Sequence, residues 1–142
     1  MVHLRYVRIL FTLLIVVYAV LPLFAELNHT HVVNPDWPGH ARLHNVWLIA
    51  QNSLLGLFSL YLLWALRNRA MVLIAGGLST IIFAGFVIAG ITSSLYGGTF
   101  TDKGAGVFLI DGVDINVYVF GISFILSVIG LTIVAKTKTQ HS

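Results

Sequence analysis

Four of the six histidines lie within one polar stretch, residues 26–44, and their spacing suits metal coordination. His29 and His31, the loop pair, are separated by one residue, which puts both side chains on one side of an extended segment. His40 and His44, the helical pair, are four residues apart and share one face of a helix. Imidazole binds zinc, copper, iron and nickel. The stretch therefore predicts a site for one divalent transition metal.

Acids and amides elsewhere in the chain extend this candidate site. A carboxylate can bind the metal directly or accept the second N–H of a coordinating imidazole. The candidates for these roles are Glu26, Asp36, Gln51, Asp111 and Asp114. The chain has no cysteine, so thiolate ligands are excluded.

A proline supports a helix that carries the helical pair. Pro38 suits the first turn of a helix, where its missing N–H costs nothing. A helix is therefore predicted to begin near Asp36 or Trp37. Gln51 continues the face of the helical pair along this helix, and polar groups in apolar spans usually face the interior of a bundle. We expect this polar stripe to point inward.

The helical pair is expected to anchor the metal, because the start of a helix fixes its geometry before any ligand arrives. The loop pair lies on a segment that other contacts must order, at a larger entropic cost. Both pairs are expected to converge at the outer end of a helical bundle, beneath the loop of residues 94–114.

Two other functions use the same residues or the same scaffold. Without a metal, histidines next to carboxylates can shuttle protons, which suits a binder of a lipid or sterol-like ligand, or an isomerase. Alternatively, the protein is an accessory subunit of a larger membrane complex. The sequence indicates no catalytic residue and does not decide between an enzyme and a non-enzyme.

The composition predicts an integral membrane protein. Of the 142 residues, 58% are hydrophobic and 9% charged, against about 25% charged in soluble domains. Uncharged spans of about 20 residues can cross a bilayer, and they do so as helices. The predicted fold is a single all-α domain, residues 1–142, with four transmembrane helices at 8–25, 42–66, 70–93 and 115–135.

The distribution of charge predicts the orientation. Six of the eight basic residues cluster at the N-terminus, at the C-terminus and between the second and third spans. The opposite side receives only Arg42 and Lys103, together with all five acids. Cytoplasmic loops are enriched in lysine and arginine. Both termini are therefore predicted to be cytoplasmic, with His29, His31, His40 and His44 on the outer face. The partner is the lipid bilayer rather than nucleic acid, and a bacterial cell membrane is favoured over a eukaryotic endomembrane.

The first span also resembles a signal peptide. It has basic residues before an apolar core, and the small Ala25 precedes Glu26. Leu23, however, is a poor fit to the small residue expected three positions before a cut after Ala25. We therefore expect the span to remain as the first helix, with Pro22 kinking its end.

Small residues in the third span predict close helix packing. Gly77, Gly85 and Ala89 share one face at spacings of eight and four residues. Gly76 and Thr80 begin a neighbouring stripe of small residues. The glycine face is therefore predicted to be a packing seam, and it could hold a second copy or a larger membrane partner.

The following outer loop contains turn signals and apolar segments. Asp111-Gly112 is one of these turn signals, and we interpret it as a turn rather than as part of a calcium site. Residues 99–101 and 107–110 are predicted to form a short β-hairpin or a flap over the bundle.

The segment NPDWPGHARLH, residues 34–44, resembles a motif in small four-span membrane proteins of bacteria and fungi. This resemblance implies a shared fold and a shared histidine-bearing outer loop, but no particular activity. A looser resemblance is to the EXPERA membrane family of sterol isomerases and their ligand-binding relatives, which also have a four-span core. It implies the same architecture and no site residues.

Overall fold

The computed structural model describes residues 2–100 and 108–137. Its helices are α1 (Val2–Ala19), α2 (Leu21–Glu26), α3 (Gly39–Tyr61), α4 (Arg69–Thr92) and α5 (Ile115–Lys136). A π-helical segment, Leu62–Leu66, extends α3, and a 3₁₀ turn, Ser93–Leu95, follows α4. The strands β1 (Leu109–Ile110) and β2 (Val113–Asp114) form one antiparallel pair.

Four helical segments are long and apolar enough to cross a membrane: Leu4–Glu26, Gly39–Leu66, Arg69–Leu95 and Ile115–Lys136. The all-α prediction is confirmed. The first segment is interrupted at Val20, just before Pro22, which lies in the first turn of α2. A proline is tolerated there because the first turn does not need its N–H.

The helices form a bundle in which α1 contacts each of α3, α4 and α5. Phe11 of α1 is fully buried and reaches Gly76 of α4 and Gly130 of α5. A Cβ added at Gly76 would stand 2.7 Å from Cε2 of Phe11, which is too close for a real contact. The two glycines therefore provide the space that the aromatic ring occupies.

A second buried contact joins α1 to α3 and α4. Tyr18 is fully buried, and its hydroxyl lies 3.4 Å from Oγ of Ser59. The Tyr18 ring packs edge-on against Phe83, with ring centroids 5.9 Å apart. In the described part of the chain, every buried side-chain nitrogen and oxygen has a hydrogen-bond partner, as expected of groups removed from water.

One end of the bundle, the arginine end, is held by basic side chains. Arg8 lies over the ring of Trp64, 5.5 Å from its centroid, and Nε1 of Trp64 donates to Oγ1 of Thr12 at 2.9 Å. Arg69 donates to the carbonyl oxygens of Val134 and Ala135 at 3.0 and 2.9 Å. A cation at these last carbonyls of α5 also complements the helix dipole.

Of the two predicted stripes of small residues on α4, one packs within the bundle and the other does not. Gly76 is buried against Phe11, whereas a Cβ added at Gly77 or Gly85 would meet nothing within 4 Å. The large Phe11 side chain packs against the face of α4 that carries Gly76, so this face points into the bundle. The glycine face predicted as a packing seam therefore lies outside the packing within the chain.

One strand of the hairpin lies in a predicted segment, residues 107–110, but its partner strand differs from the predicted one. Leu109–Ile110 pairs with Val113–Asp114, while Thr99 and Phe100 are not in a strand; residues 101–107 lie outside the described residues. Asp111 and Gly112 both have positive φ, 50° and 78°. Two such residues make the tight turn preferred in two-residue hairpins, so the expected turn itself connects the strands.

Adjacent glycines on α4 offer a matched test of the packing. Gly76→Ala should lower the free energy of unfolding by about 1–3 kcal/mol, because the added methyl group displaces the Phe11 ring. Gly77→Ala should be neutral or stabilising by up to about 1 kcal/mol, since alanine is the better helix former. Thermal unfolding of the purified proteins in detergent measures both changes. Equal melting temperatures for the two variants would contradict this packing.

Candidate functional site

The helical pair lies in the first two turns of α3. The helix begins at Gly39, with Pro38 immediately before it, and the amide of Arg42 donates to the Pro38 carbonyl at 3.1 Å. The N-cap is thus Pro38, one or two residues later than predicted. Nε2 of His40 and Nε2 of His44 are 3.0 Å apart, with the ring planes at 87°. Both imidazoles are exposed.

The distance between these nitrogens is close to what one metal ion requires. Zinc–nitrogen bonds of about 2.0–2.1 Å at a tetrahedral angle separate two ligand nitrogens by about 3.3 Å. In the structure one imidazole donates a hydrogen bond to the other. To hold one ion, the gap must widen slightly, and the donating imidazole must change tautomer so that its hydrogen lies on Nδ1 and its Nε2 has a free lone pair.

The polar stripe on α3 points outward, contrary to the prediction. His40, His44 and Gln51 are all exposed, and Trp47 between them is 63% exposed. Trp47 packs beside His44 with ring centroids 5.9 Å apart. The stripe therefore lies on the exterior of the bundle, along with the largest apolar side chains of α3.

The opposite face of α3 is fixed by close packing and hydrogen bonds. Gly56 is buried, and a Cβ there would lie 3.2 Å from Cγ2 of Ile15. Ser53 donates to the Ala19 carbonyl at 2.9 Å. The helix thus turns its small and hydrogen-bonded residues to α1, and this leaves its larger polar residues outside.

The loop pair belongs to a different set of contacts. Nδ1 of His31 is 2.7 Å from Oγ1 of Thr30, whose hydroxyl donates to Oδ1 of Asn28 at 2.5 Å. Nε2 of His31 is 4.0 Å from Oε2 of Glu26. The His31 ring also packs edge-on against Trp37 at 5.2 Å. His31 thus orders the loop between α2 and α3.

Asn45 is a site residue that the sequence reasoning missed. Its amide donates to Oε2 of Glu26 at 2.8 Å, which ties the end of α2 to the first turns of α3. Asn45 follows His44 directly, but it lies on the other side of the helix. The sequence carried no signal for this contact, because Glu26 and Asn45 are 19 positions apart.

The remaining predicted residues lie apart from the helical pair. His29 and Asp36 are exposed, and the backbone amide of Asp36 donates to Oδ1 of Asn34 at 3.0 Å. Asp111 is in the hairpin turn. Asp114 is 3% exposed and accepts a hydrogen bond at 2.7 Å from the backbone amide of Asn116. It therefore caps α5, where an aspartate is a preferred residue.

The two histidine pairs do not converge among residues 2–100 and 108–137. No three histidine, aspartate or glutamate side chains there form a group that could hold a metal ion. The loop pair is divided, with His31 used for loop structure and His29 exposed. What the described residues provide is a half-site, two imidazoles with adjacent Nε2 atoms open to solvent.

A cleft of about 200 Å³ lies elsewhere, between the last turns of α4 and the segment that follows it. Phe86, Gly90, Tyr96 and Phe100 are among its lining residues. Among the described lining residues there is no member of either histidine pair, so the cleft gives no support to a ligand site built around the helical pair.

Comparisons of this chain with known protein families, with curated proteins and with solved structures find no match. The assignment of function therefore rests on the geometry of the site.

A double-mutant cycle tests the link between α2 and α3. Glu26→Ala and Asn45→Ala should each destabilise the protein by about 1–2 kcal/mol, because each leaves the other group without its partner. The double variant should lose less than the sum, with a coupling of about 0.5–1.5 kcal/mol. Chemical or thermal unfolding in detergent measures this coupling. Strict additivity would show that the hydrogen bond contributes nothing to stability.

Proposed function

We propose that this protein is an integral membrane protein that binds a divalent transition metal at its outer surface through His40 and His44. The ion is zinc, copper, iron or nickel, the metals that imidazole suits. The observation that carries the proposal is the 3.0 Å distance between the two Nε2 atoms on an exposed helix start.

The lengths of the helices support the placement in a membrane. The segment Gly39–Leu66 has 28 residues, or about 40 Å at about 1.5 Å per residue. A hydrocarbon core of about 30 Å leaves roughly 10 Å of helix outside it. If Leu66 lies at the inner edge of the core, then His44 lies at the outer edge and His40 beyond it, within reach of aqueous metal.

The arrangement of charges supports the orientation. Arg8, Arg67 and Arg69 all lie at the arginine end of the bundle, together with Lys136 at the end of α5. Basic residues favour the cytoplasmic side, so the helical pair faces outward. The half-site supplies two imidazole nitrogens, the ligand type that suits a divalent transition metal.

Metal analysis of three histidine variants tests the proposal. The protein, purified without chelator or immobilised-metal chromatography and offered each of the four metals, should retain an ion. His40→Ala and His44→Ala should each weaken metal binding by roughly a hundredfold or more. The loss should exceed the about 10–100-fold cost of removing a residue that only hydrogen-bonds to a metal ligand, because each substitution removes a ligand itself. His29→Ala should leave binding unchanged, because His29 is exposed and apart from the helical pair. Elemental analysis after gel filtration gives the metal content.

Two results would contradict this proposal. Retention of no ion by the wild-type protein would remove the metal function altogether. Loss of the ion in His29→Ala with retention in His44→Ala would place the site on the loop.

The accessibility of introduced cysteines tests the orientation. The native chain has no cysteine, so a label in a single-cysteine variant can only be on the introduced residue. Asn68→Cys lies in the short connection between α3 and α4, and Asp36→Cys lies in the histidine-bearing loop. A membrane-impermeant maleimide added to intact cells should label Asp36→Cys and should label Asn68→Cys only after permeabilisation. The reverse pattern would invert the proposed topology.

A further inference from the structure

The outward face of α3 carries a heptad pattern. Seven of its exposed side chains lie at alternating intervals of four and three residues, the spacing by which two helices pack along a common seam. The positions are His40, His44, Trp47, Gln51, Leu54, Phe58 and Tyr61, all exposed. We call this set the α3 seam. The buried residues Ile49, Gly56 and Ser59 lie on the opposite side of the helix.

Gln51 is the polar residue at the centre of the seam, and its side chain makes no hydrogen bond within the described part of the chain. It lies roughly 20 Å along the helix from Leu66, at about 1.5 Å per residue. In the proposed membrane this places the amide within the apolar layer, about 30 Å thick. An amide in lipid is stabilised by hydrogen bonds to another helix.

The hydrogen-bonding groups of the Gln51 side chain indicate which partner suits the α3 seam. A carboxamide has both donors and an acceptor, so two Gln51 side chains that face one another across a two-fold axis satisfy each other. A two-fold interface brings the same surface of each chain together. A lone polar residue in an otherwise apolar seam also fixes register and number of strands in coiled coils.

We propose that α3 pairs in parallel with α3 of a second copy of this chain, and that the two helical pairs together form a four-imidazole metal centre. This inference rests on the proposed metal function and names the source of the missing ligands. Only a parallel pairing brings His40 and His44 of both copies to the same end. Four nitrogen ligands complete the tetrahedral set that zinc takes in closed sites.

The apolar members of the seam suit this pairing. Trp47, Leu54 and Phe58 are 63%, 67% and 51% exposed. These side chains extend the contact on both sides of Gln51 along the helix. The contact therefore begins at the histidines and continues through the apolar layer, so that the metal centre and the helix pairing stabilise each other.

Cross-linking of single-cysteine variants in membranes tests the interface. Leu54→Cys lies in the seam, and Ile81→Cys lies near the middle of α4; the native side chains are 67% and 68% exposed. Ile81 stands between Gly77 and Gly85, so it reports a dimer through the glycine face of α4. Ile125→Cys on α5, where Ile125 is 59% exposed, gives the background of random collisions.

A short bismaleimide should convert Leu54→Cys to a covalent dimer far more efficiently than Ile81→Cys or Ile125→Cys. Gln51→Leu in the Leu54→Cys background should weaken dimerisation by roughly three- to thirtyfold, the range for one polar contact between membrane helices. Leu54→Cys reacting no better than Ile125→Cys would overturn the α3 interface. Ile81→Cys reacting best would overturn it in favour of α4.

The metal stoichiometry of the wild-type protein tests the shared centre without any substitution. A four-imidazole centre holds about one zinc ion per two chains, because zinc in closed sites takes four ligands. Zinc should also raise the cross-linking of Leu54→Cys, and His44→Ala should abolish this rise. One ion per chain without cross-linking would overturn the dimer while leaving the half-site intact. Strong cross-linking without any bound ion would overturn the metal centre, and with it the proposed function.

Discussion

The rotation of α3 about its own axis is the constraint on which the site depends. Gly56 lies against Ile15 and Ala19, at a distance that excludes a side chain. Tyr18 with Ser59, and Glu26 with Asn45, hold the same face of α3 toward α1 and α2 at two further levels. With that face fixed, His40 and His44 can only face outward.

The same contacts divide the polar groups of α3 into two classes. The hydroxyl of Ser59 and the amide of Asn45 have partners within the chain. The amide of Gln51 has none among the described residues, although it lies only six positions from Asn45. Ser59 and Asn45 therefore contribute to the stability of the bundle, whereas the amide of Gln51 remains available to another molecule.

The sequence predicted the helices well because long uncharged spans have no other stable structure in lipid. It also predicted the break near Pro22 and the turn at Asp111-Gly112, where local chemistry decides the backbone. It predicted the wrong direction for the α3 stripe, because the general tendency of polar groups to face inward was outweighed by the small residue Gly56. It could not assign Asn45 to Glu26, since these residues are 19 positions apart and their contact depends on how α2 follows α1.

The π-helical winding of Leu62–Leu66 has a consequence for the α3 seam. Each hydrogen bond there spans one residue more than in an α-helix, so side chains beyond Tyr61 no longer follow the four–three repeat. Trp64 is instead directed to Thr12 and Arg8. If one copy of α3 slid along the other by seven residues, part of its seam would face this altered winding. In the proposed dimer, this change of helical phase would disfavour the shifted alignment and favour the one that sets histidine opposite histidine.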